Sequence, residues 1–181
     1  REIQRRSRRK NAIPAIAIAG YTNAGKSSLL NQLTGAGVLV EDSLFATLDP
    51  TVRKIKLPSG REVTVTDTVG FVRHLPHQLV ETFRSTLEEI TDADLVLHLL
   101  DGSDESPVSQ LNAVREVLAE LGLTEVKELV VINKVDVSDA QTITEMKLLV
   151  PEALFISAKT GTGLAQLLEL IDEKLAAADL V

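Results

Sequence analysis

The sequence predicts an α/β fold in three layers, with a mostly parallel six-stranded sheet that carries one antiparallel strand. Three observations lead there. Short apolar runs alternate with helix-like segments from one end of the chain to the other. Two of these runs are joined only by Pro58-Ser59-Gly60, a hairpin link too short for a parallel crossover. The remaining strands are separated by helix-length segments, the signature of parallel βαβ units.

Taken in order, residues 12–19 (AIPAIAIA) form an apolar run of the kind buried on both faces of a parallel sheet. A glycine-rich turn follows, then a helix over 26–33. Residues 51–57 (TVRKIKL) alternate apolar and charged side chains, as a half-exposed strand does. The hairpin returns through 62–67 (EVTVTD). A helix is expected over 77–90, a buried strand over 94–100 (DLVLHLL), and a helix over about 107–121. A strand over 128–132, a helix over 139–149 and a last strand over 153–156 complete the alternation. Residues 163–178 close it as an amphipathic helix, with Leu164, Leu167, Leu168, Ile171 and Leu175 on one stripe.

The 181 residues suit one domain, and 44% hydrophobic against 25% charged residues is a globular balance. Aromatics are only 3%, so the core rests on Val, Ile, Leu and Ala. No cysteine is present, which excludes disulfides and cysteine-held metal and agrees with a cytoplasmic location. No apolar run reaches the roughly 18 residues of a membrane span. Formal net charge is -7, yet Arg1, Arg5, Arg6, Arg8, Arg9 and Lys10 crowd the first ten residues against Glu2 alone. Two readings of that run stand: a solvated helix or linker end, and a contact for RNA phosphates. Residues 1–11 are accordingly set apart as a basic tail of an upstream helix or linker, and 12–181 as the folded domain.

Gly20-Tyr21-Thr22-Asn23-Ala24-Gly25-Lys26-Ser27 matches G-x-x-x-x-G-K-[ST] at every required position, between a buried strand and a helix. Gly20 and Gly25 let the backbone curl so that its N–H groups face phosphate oxygens, and the helix beginning there adds its positive end. Lys26 is expected on the β- and γ-phosphates, the Ser27 hydroxyl on Mg²⁺, and Ser28 beside them. Asn133-Lys134-Val135-Asp136 ends a buried strand, where ligands bind in such sheets. A carboxylate there accepts two hydrogen bonds from guanine's imino and amino groups, a pair that adenine lacks. Asn133 and the stem of Lys134 would hold the loop and cover the base. Ser157-Ala158-Lys159 is placed to offer a backbone N–H to the guanine carbonyl oxygen.

Asp67-Thr68-Val69-Gly70 ends the second hairpin strand, with Asp67 expected to reach Mg²⁺ through a water and Gly70 N–H to sense the γ-phosphate. Before it lies Phe45-Ala46-Thr47-Leu48-Asp49-Pro50-Thr51. A threonine of this segment should complete the Mg²⁺ shell when the γ-phosphate is present: Thr47 is the choice and Thr51 the alternative. Lys26, Thr47 and Gly70 are thus the candidate catalytic set.

These motifs, in this order, resemble the five signatures of a Ras-like, translation-factor-class P-loop NTPase domain. GYTNAGKSSLLNQLTGA, LFATLDPTVRKIKLPSG and DTVGFVRHLPHQLVETFRSTLEE look specifically like the HflX family of GTPases. The Obg and Era families match the phosphate loop but not these later segments. The resemblance implies GTP and GDP as ligands, slow GTP hydrolysis, and a role on the large ribosomal subunit and its RNA in ribosome splitting or rescue. It also implies a longer protein with a further N-terminal part, monomeric and without a membrane partner. Many small GTPases place glutamine after D-x-x-G to orient the attacking water; here Phe71 stands there, and a phenyl ring cannot hydrogen-bond water. Candidates to make up the loss are a K⁺ ion held with help from Asn23, as in several related GTPases; Arg73, His74 or His77; and a group donated by the ribosome. His98, inside an apolar strand, reads as a core histidine with a hydrogen-bond partner.

Overall fold

The structure, a computed structural model, describes residues 13–21, 24–35, 51–67, 90, 92–120 and 127–179. Among them are six strands and four helices: β1 (Ala15–Gly20), α1 (Lys26–Thr34), β2 (Thr51–Lys56), β3 (Glu62–Asp67), β4 (Leu95–Asp101), α2 (Pro107–Glu120), β5 (Glu128–Asn133), α3 (Ala140–Leu149), β6 (Leu154–Phe155) and α4 (Leu164–Asp179). The expected helix over 77–90 lies almost wholly outside the described residues. The strands form one sheet in the order β2-β3-β1-β4-β5-β6. All neighbours are parallel except β2 and β3, so the antiparallel strand is the edge strand of the hairpin.

Each face carries its own apolar layer. Ile16, Ile18, Leu97, Leu99 and Val131 pack with Leu29 and Leu30 of α1 and with Leu167, Ile171 and Leu175 of α4. Leu164 and Leu168 flank that stripe, partly buried. On the other face Leu100, Val130 and Ile132 meet Leu111 of α2 and Met146 of α3. Period-two alternation on β4 and β5 sends successive side chains to these two layers.

The element bounds differ from expectation where single residues intervene. β1 begins at Ala15 because Pro14 has no N–H for the ladder, although its carbonyl still accepts from Thr64 N at 2.9 Å. Asp94 is not in β4; its Oδ2 accepts from Ala15 N at 2.9 Å and so ties the start of β1 to the strand beside it. α3 begins one residue late because Asp139 is its N-cap, accepting from Gln141 N at 3.0 Å. β6 is two residues long, yet Ile156 N donates to Ile132 O at 2.8 Å, so the ladder runs past its formal end. The hairpin turn is anchored from afar: Ser59 N and Oγ donate to the carboxylate of Asp172 on α4, at 2.9 and 2.7 Å.

His98 is fully buried on β4, with Nδ1 3.0 Å from Glu128 Oε2. Arg115 of α2 donates through Nε and a terminal nitrogen to Glu128 Oε1. Burial opposes charge on Glu128, but hydrogen bonds from His98 and Arg115 outweigh it and hold its pKa at about 2. A carboxylate with a lowered folded pKa stabilises the fold above its unfolded value near 4.5, and that stabilisation disappears as pH falls towards 2. Glu128→Gln should therefore cost up to about 3 kcal/mol at pH 7 and progressively less below pH 4.5. Denaturant unfolding of both proteins across this range checks it; a gap that stays constant with pH would contradict the assignment.

Candidate functional site

Three loops meet at the carboxyl ends of β1, β5 and β6. The first is the glycine loop after β1. Gly25 adopts a left-handed conformation (φ 96°) as the N-cap residue of α1, and among the described residues no side chain caps that helix. Its first N–H groups are therefore left to an anionic ligand, as a phosphate-binding loop requires. Gly20 serves differently from the expected curl: a Cβ there would stand 2.5 Å from Leu99 O, so glycine is needed for close packing of β1 on β4. Lys26 is buried, and its Nζ donates to Tyr21 O at 3.4 Å, across the loop. Burial lowers its pKa, with the Asp67 charge opposing the shift.

Ser27 Oγ donates to Asp67 Oδ2 at 2.8 Å. β3 brings Asp67 to the phosphate loop because it lies parallel beside β1, with Ile18 opposite Asp67. A hydroxyl and a carboxylate this close are hard oxygen donors, and they fit Mg²⁺ better than any softer metal. Thr51, the alternative to Thr47, belongs to β2 and pairs with Asp67 in register. Thr22, Asn23, Phe45, Ala46, Thr47, Leu48, Asp49, Thr68, Val69, Gly70, Phe71, Arg73, His74 and His77 lie outside the described residues.

The second and third loops follow β5 and β6. Asn133 is buried and joins all three: its Nδ2 donates to Ala24 O at 3.0 Å, and its Oδ1 accepts from Ala158 N at 2.9 Å. Asp136 is exposed, with Oδ1 accepting from Ser157 Oγ at 2.8 Å, which orients the carboxylate. Ser157 N donates to Thr162 O and Ala158 N to Asn133, so within Ser157-Ala158-Lys159 the Lys159 N–H is the one without an acceptor among the described residues. Lys134 is in the left-handed region (φ 66°), and Ser138 Oγ donates to its carbonyl at 2.7 Å. Its Nζ donates to Asp101 Oδ2 at 3.0 Å. From the sequence Asp101 reads chiefly as a loop cap at the end of its strand, with a supporting role at the site as the lesser alternative. The parallel register of β4 and β5, which sets Asp101 beside Asn133, is the signal that would have found it.

Gly25→Ala tests the joint between loops. The new Cβ would strike Asn133 Nδ2 and hold a non-glycine residue at positive φ. Strain of that kind costs on the order of 1–3 kcal/mol. Lower stability together with faster nucleotide release is the expected outcome, read by unfolding and by displacement of fluorescent GDP; loss of neither would mean the joint is slack.

Fold and site together define a P-loop nucleotide-binding domain of the GTPase class. The chain belongs to the family of 50S ribosome-binding GTPases, whose model matches residues 15–134. Among curated proteins it is similar to the GTPase HflX of Caldanaerobacter subterraneus, 52% identical over 97% of this chain and 40% of that protein. It is similar also to the GTPase HflX of Escherichia coli, at 43% identity over 97% of this chain and 42% of that protein. The chain thus spans about two fifths of these relatives' length. The likeness to HflX expected from the switch segments is what these relatives show. Similar solved structures include a GTP-binding protein of Sulfolobus solfataricus in complex with GDP (TM-score 0.72, 29% identity, 99% of this chain and 57% of that one). Another is Era in complex with MgGDPNP and nucleotides of 16S ribosomal RNA (TM-score 0.69, 25% identity, 88% of this chain and 55% of that one).

Proposed function

We propose that this domain binds GTP and GDP with Mg²⁺, hydrolyses GTP slowly, and acts as a switch on the large ribosomal subunit in the manner of a splitting or rescue factor. The observation that carries the nucleotide reading is the Asn133 joint, which fixes the guanine-reading loop to the phosphate loop and to Ser157-Ala158-Lys159. A base and a triphosphate of one ligand then meet prearranged groups. Asp136 accepts from the guanine imino and amino groups, and Lys159 N–H is the donor for its carbonyl oxygen. The Gly25-α1 amides cradle the phosphates. Lys26 turns from Tyr21 O to the β- and γ-phosphates, whose negative charge opposes the lowering of its pKa by burial.

Ser27 and Asp67 would hold Mg²⁺, with Thr47 joining when the γ-phosphate is present. The metal, once bound, supplies neutralisation of charge on the phosphate oxygens. Gly70 N–H reports the γ-phosphate, and loss of that contact after hydrolysis releases the segments around Thr47 and Gly70. The ribosomal partner is supported by the family and by the likeness to HflX proteins, and the Era relative, with MgGDPNP and ribosomal RNA, is consistent with it. The protein so read works in the cytoplasm; among the described residues no helix is long and apolar enough to cross a membrane.

With Phe71 in place of a water-orienting glutamine, turnover of the domain alone should be on the order of 10⁻⁴ to 10⁻² per second. Multiple-turnover phosphate release from GTP should rise on adding large ribosomal subunits. No release under either condition would favour a second reading, a guanine-nucleotide sensor that does not hydrolyse. Equal rates in KCl and NaCl would remove the potassium role of Asn23 and leave Arg73, His74 or His77 and a group donated by the ribosome as the sources of the missing stabilisation.

A further inference from the structure

Lys134 is held in a conformation that a lysine does not choose. Its φ of 66° lies in the left-handed region, which costs a side-chain-bearing residue free energy and persists only where neighbours impose it. Contacts at both ends of the residue impose it here. Ser138 Oγ donates to its carbonyl, and Asp101 Oδ2 accepts from its ammonium at 3.0 Å. Asp101 is in turn fixed by Ser103, whose N and Oγ both donate to Oδ1, at 2.9 and 2.5 Å.

The backbone beneath this ion pair is equally constrained. Gly102 N donates to Asn133 O at 2.9 Å. A Cβ on Gly102 would stand 2.8 Å from both Asn133 O and Ser138 Oγ, so the turn after β4 packs directly on the loop after β5. Both partners are largely withdrawn from solvent, Asp101 with 16% and Lys134 with 33% of the side chain exposed. That sets the pair apart from exposed ion pairs, which contribute little.

We infer that Asp101, oriented by Ser103, is a positioning residue for guanine-nucleotide retention, acting by tethering the Lys134 ammonium so that the lysine stem lies fixed over the base. The inference rests on the guanine reading of the site. Asp101 itself touches no ligand. A pre-tethered stem loses no side-chain freedom when the base arrives, so the tether favours the bound state. The pair also explains why a charged lysine, and not any residue with a long apolar stem, suits position 134. Because the tether acts on the base and not on the phosphates, its removal should be felt only by ligands that carry a base.

Asp101→Asn, Asp101→Ala and the milder Ser103→Ala test this in the full chain. The readouts are the dissociation rate of fluorescent GDP, competition by inorganic triphosphate as a ligand with no base, and the melting temperature without nucleotide. Loss of one charged hydrogen bond should speed GDP release roughly tenfold in the Asp101 variants. Ser103→Ala should give a smaller effect of the same sign, and triphosphate affinity should stay within about twofold throughout. Unchanged GDP release, or triphosphate affinity that falls in parallel with it, would overturn the inference. If the Asp101 variants do not fold, Ser103→Ala decides on the same two readouts. Wild-type protein that fails to prefer GDP over ADP would instead sink the guanine reading itself.

Discussion

Asp136→Asn is expected to weaken GDP binding by roughly 10²–10⁴-fold. The carboxylate accepts two hydrogen bonds from guanine in this account, and bonds to a charged group contribute about 1.5–3 kcal/mol each. The amide keeps the shape and can still accept from Ser157 Oγ, which now meets Asp136 Oδ1. What changes is polarity: an N–H₂ donor faces the guanine amino donor. A base with a carbonyl at that ring position should then be preferred, so xanthosine diphosphate should recover much of the lost affinity. Calorimetric titration of both nucleotides against both proteins measures the exchange. Recovery by xanthosine diphosphate would also show that the variant is folded, since a damaged site would reject both.

Asn133→Ala should be the most destabilising single change among the residues that join the three loops. It removes a buried amide and leaves Ala24 O without its donor and Ala158 N without its acceptor. Each stranded buried group costs about 1–3 kcal/mol, so about 2–6 kcal/mol in all. Against a total stability of about 5–15 kcal/mol, that is a large fraction. Denaturant unfolding without nucleotide is the direct check. A second consequence follows from the geometry: with the joint cut, the base-reading loop and the phosphate loop move independently, and GDP should leave faster. Wild-type stability in the variant would mean that water takes over both groups.

Much of the architecture was legible because local signals agreed. The G-x-x-x-x-G-K-[ST] loop fixed the end of β1 and the start of α1, and Pro58-Ser59-Gly60 fixed the antiparallel pair. The apolar stripe of α4 likewise marked its buried side. Two of the misjudged bounds share one cause: a residue that interrupts the backbone pattern while still bonding to it. Pro14 and Asp139 are examples, the first accepting from a neighbouring strand and the second capping a helix.

The site was legible as separate segments and not as a joined object. Nothing local in Asn133 says that its two amide atoms divide between Ala24 and Ala158, 109 and 25 residues away. Asp101 looked like the end of an apolar strand, and its tie to Lys134 exists only because β4 and β5 lie side by side in register. Gly20 carried a conformational reading, whereas its need is steric and comes from Leu99 on another strand. Long-range pairings of this kind depend on register, which a motif search does not contain.

The central claim is that the loops after β1, β5 and β6 form one site for a guanine nucleotide. Competition of GDP and ADP against fluorescent GDP, with Mg²⁺ present, tests it most directly. The account requires GDP to compete at least 10²-fold more strongly than ADP, the discrimination that two charged hydrogen bonds supply. Equal competition by the two would contradict it.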